Sequence, residues 1–371
     1  MMSKLDELIK ELCPDGVGYH KIKEIYTRLK GTSITAGKMK EIERPEGDIR
    51  IFAGGKTVIN AFEEDIPKAN IIRVPAVLVQ SRGVIDAVFY EKPFTFKNEM
   101  WAYTHEDKDS TKYLFYVLKN NMHQFREAAS GMGSLPQISL KVTEEFFIPV
   151  PPIEIQREIV RILDNFTELT AELTAELTAR KKQYEYYRDK MLTFGIEVKK
   201  TTLGQVCRRI SSGKNKLRND IGKYSVYGST GIIGFSDTFA YENDAILVAR
   251  VGANCGYVHT STGEYDVSDN TLIVEVEKDD YNMRFAYHQL TNMKLNQYAK
   301  GGGQPLITAG QLKNLQIPLP PLETQHRIVN VLDNFEAICS DLNIGLPAEI
   351  EARKKQYEFY RDYLLTFDRE A

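Results

Sequence analysis

The sequence predicts an α+β protein in which two tandem α+β domains are separated by two long conserved helices that form an antiparallel coiled coil. The two halves are related by a pseudo-twofold internal repeat. Three observations predict this fold: two pairs of near-identical sequence blocks, an apolar seam at helical spacing in each copy, and a β-rich variable segment before it. The chain has 371 residues, 42% hydrophobic and 27% charged. This composition is typical of a globular protein of two or three domains.

An internal repeat dominates the sequence. Residues 148–166 read IPVPPIEIQREIVRILDNF, and residues 317–335 read IPLPPLETQHRIVNVLDNF. A second matching pair follows, ARKKQYEYYRD at 179–189 and ARKKQYEFYRD at 352–362, so the second copy contains four extra residues. A period this long indicates duplicated domains. The predicted parts are an N-terminal domain at 1–149, a central conserved helical region at 150–195, a C-terminal domain at 196–317 and a C-terminal conserved helical region at 318–371.

Each conserved region is predicted to be helical. Its apolar residues recur at steps of three, four and seven, which is the spacing of one helical seam. Pro151 and Pro152 suit the entry turn, and a helix over 153–194 would be about 60 Å long. The predicted seam comprises Ile159, Ile162, Phe166, Leu169, Leu173, Leu177, Tyr184, Tyr187 and Met191 in the first copy, and Ile328, Val331, Phe335, Ile338, Leu342, Leu346, Ile350, Tyr357, Tyr360 and Leu364 in the second.

The two predicted helices differ in their middle parts. The first contains a period-four run, TELTAELTAELTA, at 167–179, and one TAEL unit lengthens a helix by about 6 Å. The second contains Gly345 and Pro347, which predict a kink or break. Two matched seams in one chain are best buried against each other as an antiparallel coiled coil. The alternative is that each helix packs only on its own domain.

The segments upstream of the conserved regions are predicted to be α+β. In both copies, short β-rich stretches broken by glycine and proline precede a helix-like stretch. The repeat extends faintly here, because AVLVQSRG at 76–83 aligns with AILVARVG at 245–252. The β-rich stretches are 50–62, 70–79, 87–103, 224–235 and 245–276, and the helix-like stretches are 111–128 and 281–299.

No catalytic motif is found in the sequence. Gly54-Gly55-Lys56-Thr57 resembles the end of a phosphate-binding loop, but Arg50 occupies the position of the first required glycine, so a tight turn is the better interpretation. The six histidines show no ligand pairing, and the four cysteines lie far apart. We therefore expect neither an active site nor a bound metal or cofactor in this chain.

Cysteine usage and the first residues indicate a location. Widely spaced thiols without a CxxC pair are typical of a reducing cytosol. Residues 1–12, MMSKLDELIKEL, lack the apolar region of a signal peptide, and no run approaches the roughly 18 apolar residues of a membrane span. We expect a cytoplasmic protein without membrane contact.

Local charge is more informative than the net charge of −3, which by itself argues against a nucleic-acid partner. Residues 199–223 contain eight Lys or Arg residues and one acid, and residues 21–40 form a weaker counterpart. Small polar residues are interleaved with both groups, and such mixtures can contact phosphates. Either group by itself could be only a solvated surface, but their recurrence at matching places favours nucleic-acid binding.

The order of these blocks resembles a known family. LDELIKELCPDGV, a variable domain, PxPPxExQxxIVxxLDNF, TAEL repeats, ARKKQYEYYRDKMLTF, a second variable domain and the conserved block again are similar to the specificity (HsdS-type) subunit of type I restriction-modification systems. The resemblance covers essentially the whole chain. It implies a non-catalytic subunit that binds double-stranded DNA through two target-recognition domains and docks two methyltransferase subunits on its helices. Restriction subunits join that core, and S-adenosylmethionine, ATP and magnesium belong to the partners.

The resemblance places DNA contacts on loops of the variable domains, where Arg, Lys, Asn, Gln, Ser and Thr are suited to base and phosphate contacts. Because the two domains have diverged, we expect two different half-sites and an asymmetric target. A specificity subunit of a type IIB-like system and a coiled-coil scaffold that binds only protein remain as alternatives. The predicted DNA-binding residues are Lys30, Thr32, Ser33, Lys38, Gln80, Arg82 and Gln137 in the first domain, and Ser212, Lys214, Asn215, Ser229, Thr230, Arg250, Asn254 and Gln304 in the second.

Overall fold

A computed structural model describes residues 4–130, 135–216, 218–277, 279–301, 303–340 and 344–370. The chain divides into two compact units. The first unit comprises Met1–Glu172 together with Ile350–Ala371, and the second comprises Leu173–Glu349. The first unit is therefore built from both ends of the sequence.

The first unit contains six helices and nine strands before the long helix, within the residues that the structure describes. Two 3₁₀ turns, Gly54–Lys56 and Glu63–Asp65, join the strands. In chain order the elements are α1 (Lys4–Leu12), β1 (Tyr19–Lys21), α2 (Ile22–Ile25), β2 (Thr27–Leu29), α3 (Ala36–Ile42), β3 (Ile49–Phe52), β4 (Val58–Ala61), β5 (Ala76–Gln80), β6 (Asp86–Tyr90), β7 (Phe94–Phe96), β8 (Trp101–Thr104), α4 (Lys108–Asn120), α5 (Met122–Glu127), α6 (Leu140–Glu144) and β9 (Phe147–Pro149).

Two sheets form the body of the first unit. The antiparallel four-stranded sheet has the order β2-β8-β5-β6, and the three-stranded sheet has the order β4-β3-β7, in which β3 and β7 are parallel. Strand β5 reads AVLVQ and is buried at every position, as expected for a strand covered on both faces. One face packs on α4 with Tyr113 and Leu114, and the other meets Phe94 of the second sheet.

The second unit repeats this plan. After the long helix α7 (Ile153–Met191), its elements are β10 (Lys200–Thr202), α8 (Leu203–Val206), β11 (Cys207–Ser212), β12 (Tyr224–Gly228), β13 (Gly231–Ser236), β14 (Ala245–Ala249), β15 (Val258–Ser261), β16 (Tyr265–Val267), β17 (Thr271–Val276), α9 (Met283–Asn292), a 3₁₀ turn (Leu295–Tyr298), α10 (Ala309–Lys313), β18 (Gln316–Pro318), α11 (Leu322–Ser340) and α12 (Leu346–Leu364), of which α12 belongs to the first unit except at its start. Its sheets have the orders β11-β17-β14-β15 and β13-β12-β16, with β12 and β16 parallel. The predicted α+β duplication is therefore confirmed.

Helix α7 begins at Ile153, directly after Pro151 and Pro152, as predicted. It ends at Met191, three residues before the predicted end. Its first turns bury Ile155, Ile159 and Leu163 in the core of the first unit. For this part of the helix, packing on its own domain is therefore the correct description.

Beyond these turns, α7 packs against a second helix in each unit. In the first unit the rings of Phe166 and Tyr360 stack with centroids 5.4 Å apart. In the second unit Phe335 of α11 contacts Tyr187 and Tyr184 at 5.8 and 6.3 Å. Tyr184, Tyr187 and Tyr360 therefore pack against an aromatic residue of a second helix, as predicted.

The pairing of α7 with α11 is antiparallel. Phe335 lies beside Tyr184 and Tyr187, whereas Cys339, one turn later on α11, lies near Arg180 and Lys181, which are earlier on α7. The predicted break in the second conserved region is also observed, because α11 ends at Ser340 and α12 begins at Leu346.

One seam position predicted on α11 is wrong. Ile338 is 41% exposed, and the neighbouring Cys339 is the buried residue at 3%. The seam of α11 therefore shifts by one residue after Phe335, because a straight helix of 3.6 residues per turn drifts from a repeat of 3.5. Leu342 lies outside the described residues. Of the other predicted positions, Tyr360 is 41% exposed although it stacks on Phe166. The buried ones are Ile159, Ile328, Ile350 and Leu364, and the half-buried ones are Ile162, Phe166, Leu169, Leu173, Leu177, Tyr184, Tyr187, Met191, Val331, Phe335, Leu346 and Tyr357.

Candidate nucleic-acid interface

Five loops of the first unit meet at the end of β5 and the start of β8. We call this group the first loop cluster; it comprises residues 30–33, 54–56, 82–83, 97–99 and 135–137. Its centre is the loop 97–99, where Thr32 forms a β-bridge with Lys97 and the Gly54 N–H donates to Glu99 Oε1 at 3.2 Å. Lys97 Nζ lies 3.1 Å from Glu99 Oε2, so this lysine is neutralised locally.

Backbone hydrogen bonds hold the other loops of the cluster. The Gly55 N–H donates to the Arg82 carbonyl at 3.3 Å, and the Gly83 N–H donates to the Pro136 carbonyl at 2.9 Å. Arg82 and Gln137 face each other in an antiparallel bridge, and both residues are exposed. The fold thus brings two predicted residues, 55 positions apart in sequence, side by side at the surface.

The other predicted residues of the first domain divide into two groups. Lys30 and Ser33 are exposed, and the Lys38 ammonium pairs with Glu41 at 2.9 Å. Thr32 and Gln80 are 1% and 4% exposed, so the expectation of a surface position does not hold for them. Thr32 shares a hydrogen bond of 2.7 Å with the buried Thr95 hydroxyl, because the loop turns inward to meet the three-stranded sheet.

The glycines next to the basic groups also have a structural role. A Cβ atom on Gly31 would lie 2.0 Å from the Phe96 carbonyl oxygen, and one on Gly213 would lie 2.2 Å from the Val267 carbonyl oxygen. Each glycine therefore allows its loop to approach a strand of its own unit. This internal contact explains the two glycines, and the contact of their segments with phosphates stays a prediction.

The second unit contains an equivalent second loop cluster at residues 212–215, 229–230, 250–254, 268–270 and 304–306. Asn215 forms a bridge with Ser268, and the Ser229 hydroxyl donates to the Asn270 carbonyl at 3.2 Å. The Gly252 N–H donates to the Pro305 carbonyl at 3.1 Å, as Gly83 does to Pro136 in the first unit. The same backbone frame therefore carries different side chains in the two clusters.

Four of the predicted residues in the second domain are exposed, and four are half-buried. Asn215 donates its side-chain amide to Asp266 at 2.6 Å, and the Arg250 guanidinium donates to the Asp269 carbonyl at 3.3 Å, so both are partly committed to their own fold. The exposed residues are Lys214, Thr230, Asn254 and Gln304, and the half-buried ones are Ser212, Asn215, Ser229 and Arg250.

The two predicted basic groups differ once their partners are known. In the first unit, Lys21 and Lys23 both pair with Glu145, and their hydrogen bonds lower the pKa of that carboxyl to about 2. In the second unit, Arg208 pairs with Glu275 at 2.7 Å. The cations of the second group that carry no ion pair among the described side chains include Lys214, Lys216 and Arg218.

Sequence reasoning missed the central loop of each cluster. Asn98 in the first unit, and Asp269 and Asn270 in the second, are exposed at the middle of the five loops. Both loops follow a short buried strand, FTF or YDV, and are followed by another buried strand. In both copies a polar triplet lies between two apolar stretches, and this sequence pattern marks the position of the loop.

Two other features of the described residues resemble a site but have a structural explanation. Gly54–Lys56 is a 3₁₀ turn with positive φ at Gly55 and Lys56, as the tight-turn interpretation predicted. His288, Asp333 and Glu336 lie close enough to hold a metal ion, but the Arg284 guanidinium donates to both carboxylates at 2.6 and 2.8 Å. A cation already occupies the position that a metal would need.

Among the described helices, none is long and apolar enough to cross a membrane.

The duplicated domain matches a known class of DNA-specificity protein. The sequence profile described as "Type I restriction modification DNA specificity domain" matches residues 14–180 and 196–352, one match in each copy. The chain belongs to the type I restriction-modification DNA specificity family. This membership confirms the resemblance that the conserved blocks indicated.

Two relatives from Escherichia coli illustrate the similarity. The EcoprrI specificity subunit is 34% identical over 251 residues, which are 62% of this chain and 62% of that subunit, so the alignment spans less than two thirds of this relative. The EcoR124I/EcoR124II specificity subunit is 32% identical over 357 residues, covering 86% of this chain and 87% of that one. Both are specificity subunits of type I restriction enzymes.

Solved structures show the same fold. The S subunit of the type I system from M. genitalium superimposes with a TM-score of 0.63 and 18% identity, covering 94% of this chain and 95% of that one. A chain from a study of complex assembly and conformational transition in a type I system gives a TM-score of 0.55 and 17% identity, covering 95% and 98%. At these identities the similarity is one of fold.

Proposed function

We propose that this chain reads a bipartite, asymmetric DNA target, one half with each loop cluster, as the specificity subunit of a type I complex. The observation that carries the proposal is the pair of clusters, which share a backbone frame but present different side chains. Arg82 and Gln137 in the first have no counterpart of the same type in the second, where the equivalent bridge joins Val251 and Leu306. Different donors and acceptors read different bases.

The exposed cations and amides divide by chemistry. Arginine and glutamine form bidentate contacts with guanine and adenine edges, so Arg82, Gln137 and Gln304 are the candidates for base reading. Lys30 and Lys214 are suited to phosphates, which fix position without reading sequence. The net charge of −3 indicates weak binding by the isolated chain, so we expect partners to enclose the duplex.

Two methyltransferase subunits are the proposed partners on the helices, with restriction subunits joining them in the cytoplasm, and the methylated base is adenine. The support is the repeated block itself. Its exposed residues are kept in both copies, as in Lys181 and Lys182 against Lys354 and Lys355, although no buried packing requires them. Two matching surfaces in one chain suit two copies of one partner.

The TAEL run is proposed as a ruler between the half-sites. Inserting one unit lengthens α7 by about 6 Å, which is comparable with the 3.4 Å rise of a base pair. We expect the unread gap to widen by about one base pair while both half-sites stay the same. Changed half-site bases in the insertion variant would contradict this role.

Co-expression of the chain with the methyltransferase encoded beside it, followed by long-read methylome sequencing, tests the function. We expect one bipartite motif with methylated adenine and unlike halves. A stable complex without such a motif would refute the proposal and favour a protein-binding scaffold. A partner that fuses nuclease and methyltransferase would instead assign the chain to a type IIB-like system.

A further inference from the structure

The principal helix of each recognition domain is held by polar contacts on two sides. In the first unit this is α4, which contacts α7 and α12. In the second unit it is α9, which contacts α11 and the last part of α7. The contacts fall at equivalent positions of the repeat. We call the set of polar contacts between this helix and its helix pair the joint of each unit.

In the first unit, the joint uses the aspartate of the LDNF sequence. Lys112 Nζ lies 2.7 Å from Asp164 Oδ2, and the Tyr116 hydroxyl donates to Asp164 Oδ1 at 2.5 Å. On the other side of α4, Arg361 Nε donates to Asn120 Oδ1 at 2.8 Å. One helix of the domain is thus fastened to both helices of its pair.

In the second unit, the equivalent aspartate has different partners. Arg284 Nη2 donates to Asp333 Oδ1 at 2.6 Å, and His288 Nε2 lies 2.6 Å from the same oxygen. On the other side of α9, Arg188 Nε donates to Asn292 Oδ1 at 3.0 Å. Burial lowers the pKa of His288, so the neutral ring donates from Nε2.

Geometry separates these contacts from ordinary surface pairs. The side chains of Arg188 and Arg361 are only 18% and 23% exposed, and each is also fixed by the carboxylate of the next residue at 2.7 Å. A prearranged guanidinium loses little side-chain entropy when it forms a further hydrogen bond. Asn120 and Asn292 are identical although the surrounding segments, VLKN and QLTN, have diverged. The domains have therefore kept the residue that meets the arginine.

We propose that these joints are positioning clamps that set the spacer length of the DNA target. The inference rests on the proposed function and deepens it. Each clamp fixes the orientation of one recognition domain on its own helix pair, and therefore where its loop cluster meets the duplex. A weakened clamp lets the domain swing, so that targets with one base pair more or fewer, a displacement of about 3.4 Å, become usable. The clamp residues touch no base, so the half-site sequences stay unchanged.

The experiment compares methylomes of cells that express the methyltransferase with the wild-type chain, Asp164→Asn or Asp333→Asn. For each clamp variant we expect methylation at targets with one extra or one missing spacer base pair to rise roughly tenfold, the size of one lost charge-assisted hydrogen bond, with both half-sites unchanged. Lys112→Arg keeps the ion pair and should retain the wild-type spacer. Arg73→Gln, which removes an exposed ion pair with Glu63 inside the first unit and lies outside the repeated block, is the matched control and should also retain it.

The outcomes distinguish a failure of the clamp proposal from a failure of the proposed function. An intact complex of Asp164→Asn that keeps a strict spacer overturns the clamp and leaves the proposed function standing. If the wild-type chain gives no bipartite motif, both fail. Should Asp164→Asn not assemble, Arg361→Lys decides instead, because it keeps the charge and removes the Nε donor to Asn120. A strict spacer in that variant overturns the proposal, and a relaxed one supports it.

Discussion

The two units share one backbone plan but differ where their two sheets meet. In the first unit, Phe52 packs edge-to-face against Tyr90 and Phe94 at 5.2 and 6.0 Å. In the second unit, the His259 ring contacts the rings of Tyr227 and Tyr257 at 6.0 and 5.7 Å, and both of its buried ring nitrogens have no hydrogen-bond partner among the described residues. The two units have thus kept the same arrangement of strands, whereas the side chains between their two sheets differ.

The start of the conserved helices shows a second difference. In the first unit Glu158 is 4% exposed and pairs with Arg161 at 2.6 Å and with Lys4 of α1 at 3.1 Å. Arg327 and Asn330 occupy the equivalent positions in the second unit and are exposed. The first unit therefore fastens an additional helix with a buried charge. Identical frames can consequently respond differently to mutation and to pH.

The largest expected effect tests what the two units share. Leu163 and Leu332 are equivalent and fully buried, so Leu163→Ala and Leu332→Ala should each lower the free energy of unfolding by about 2–5 kcal/mol. Urea denaturation measures the loss, and hydrogen exchange assigns it to one unit. Glu172→Ala, at an exposed position of α7, is the control. A cost well below this range at only one of the two leucines would show that the cores are not equivalent.

The second-largest expected effect is a loss of selectivity for single bases of the DNA target. Arg82→Ala should reduce the selectivity for one base pair of the first half-site by about 1–3 kcal/mol. Gln304→Ala should have the same effect at one base pair of the second half-site. Lys214→Ala should weaken binding to all sequences alike and reduce its salt dependence. Binding of the complex to a panel of single-base target variants measures these changes. Relaxation of both half-sites by one substitution would refute the division of labour between the clusters.

A smaller effect should distinguish the units by pH. Burial lowers the pKa of His259 from 6.5 to about 4, so the unfolded chain binds the proton more tightly. The neutral ring is fully compatible with the fold above pH 6.5. The full shift corresponds to about 3 kcal/mol. Because His259 is only half-buried, solvent screening reduces the stability lost as pH falls from 6.5 through 4 to roughly 1–2 kcal/mol. His259→Val should remove this loss, and Val88→His should transfer it to the first unit. Hydrogen exchange in β14 and β5 reports each unit; acid sensitivity that persists in His259→Val contradicts the assignment.

The smallest expected effect lies at the buried carboxylate. Hydrogen bonds from Arg161, and then from Lys4, lower the pKa of Glu158 to about 2. This stabilisation is present above about pH 4.5 and disappears as pH falls through 2. Glu158→Gln should cost about 1 kcal/mol at neutral pH, since both partners are largely exposed, and Arg327→Gln should cost almost nothing. Equal changes in melting temperature for Glu158→Gln and Arg327→Gln would show that the two units do not differ at this position.

Much of the fold was predictable because its signals are local or repeated. The conserved blocks gave the duplication, the apolar spacing gave α7, and Gly345 with Pro347 gave the break before α12. For the site, the prediction that Arg82, Gln137, Asn254 and Gln304 belong to loops at the surface agrees with their positions. Their roles at DNA stay predictions.

The sequence by itself determined the repeat, the helices and the family, because each depends on patterns within a short window or on comparison of one half with the other. Only the tertiary structure decided that Thr32 and Gln80 are buried, that Cys339 replaces Ile338 in the seam, and that five separate loops meet in each cluster. The physical reason is that burial and proximity depend on strands distant in sequence, and on a helix phase that drifts by a fraction of a residue each turn.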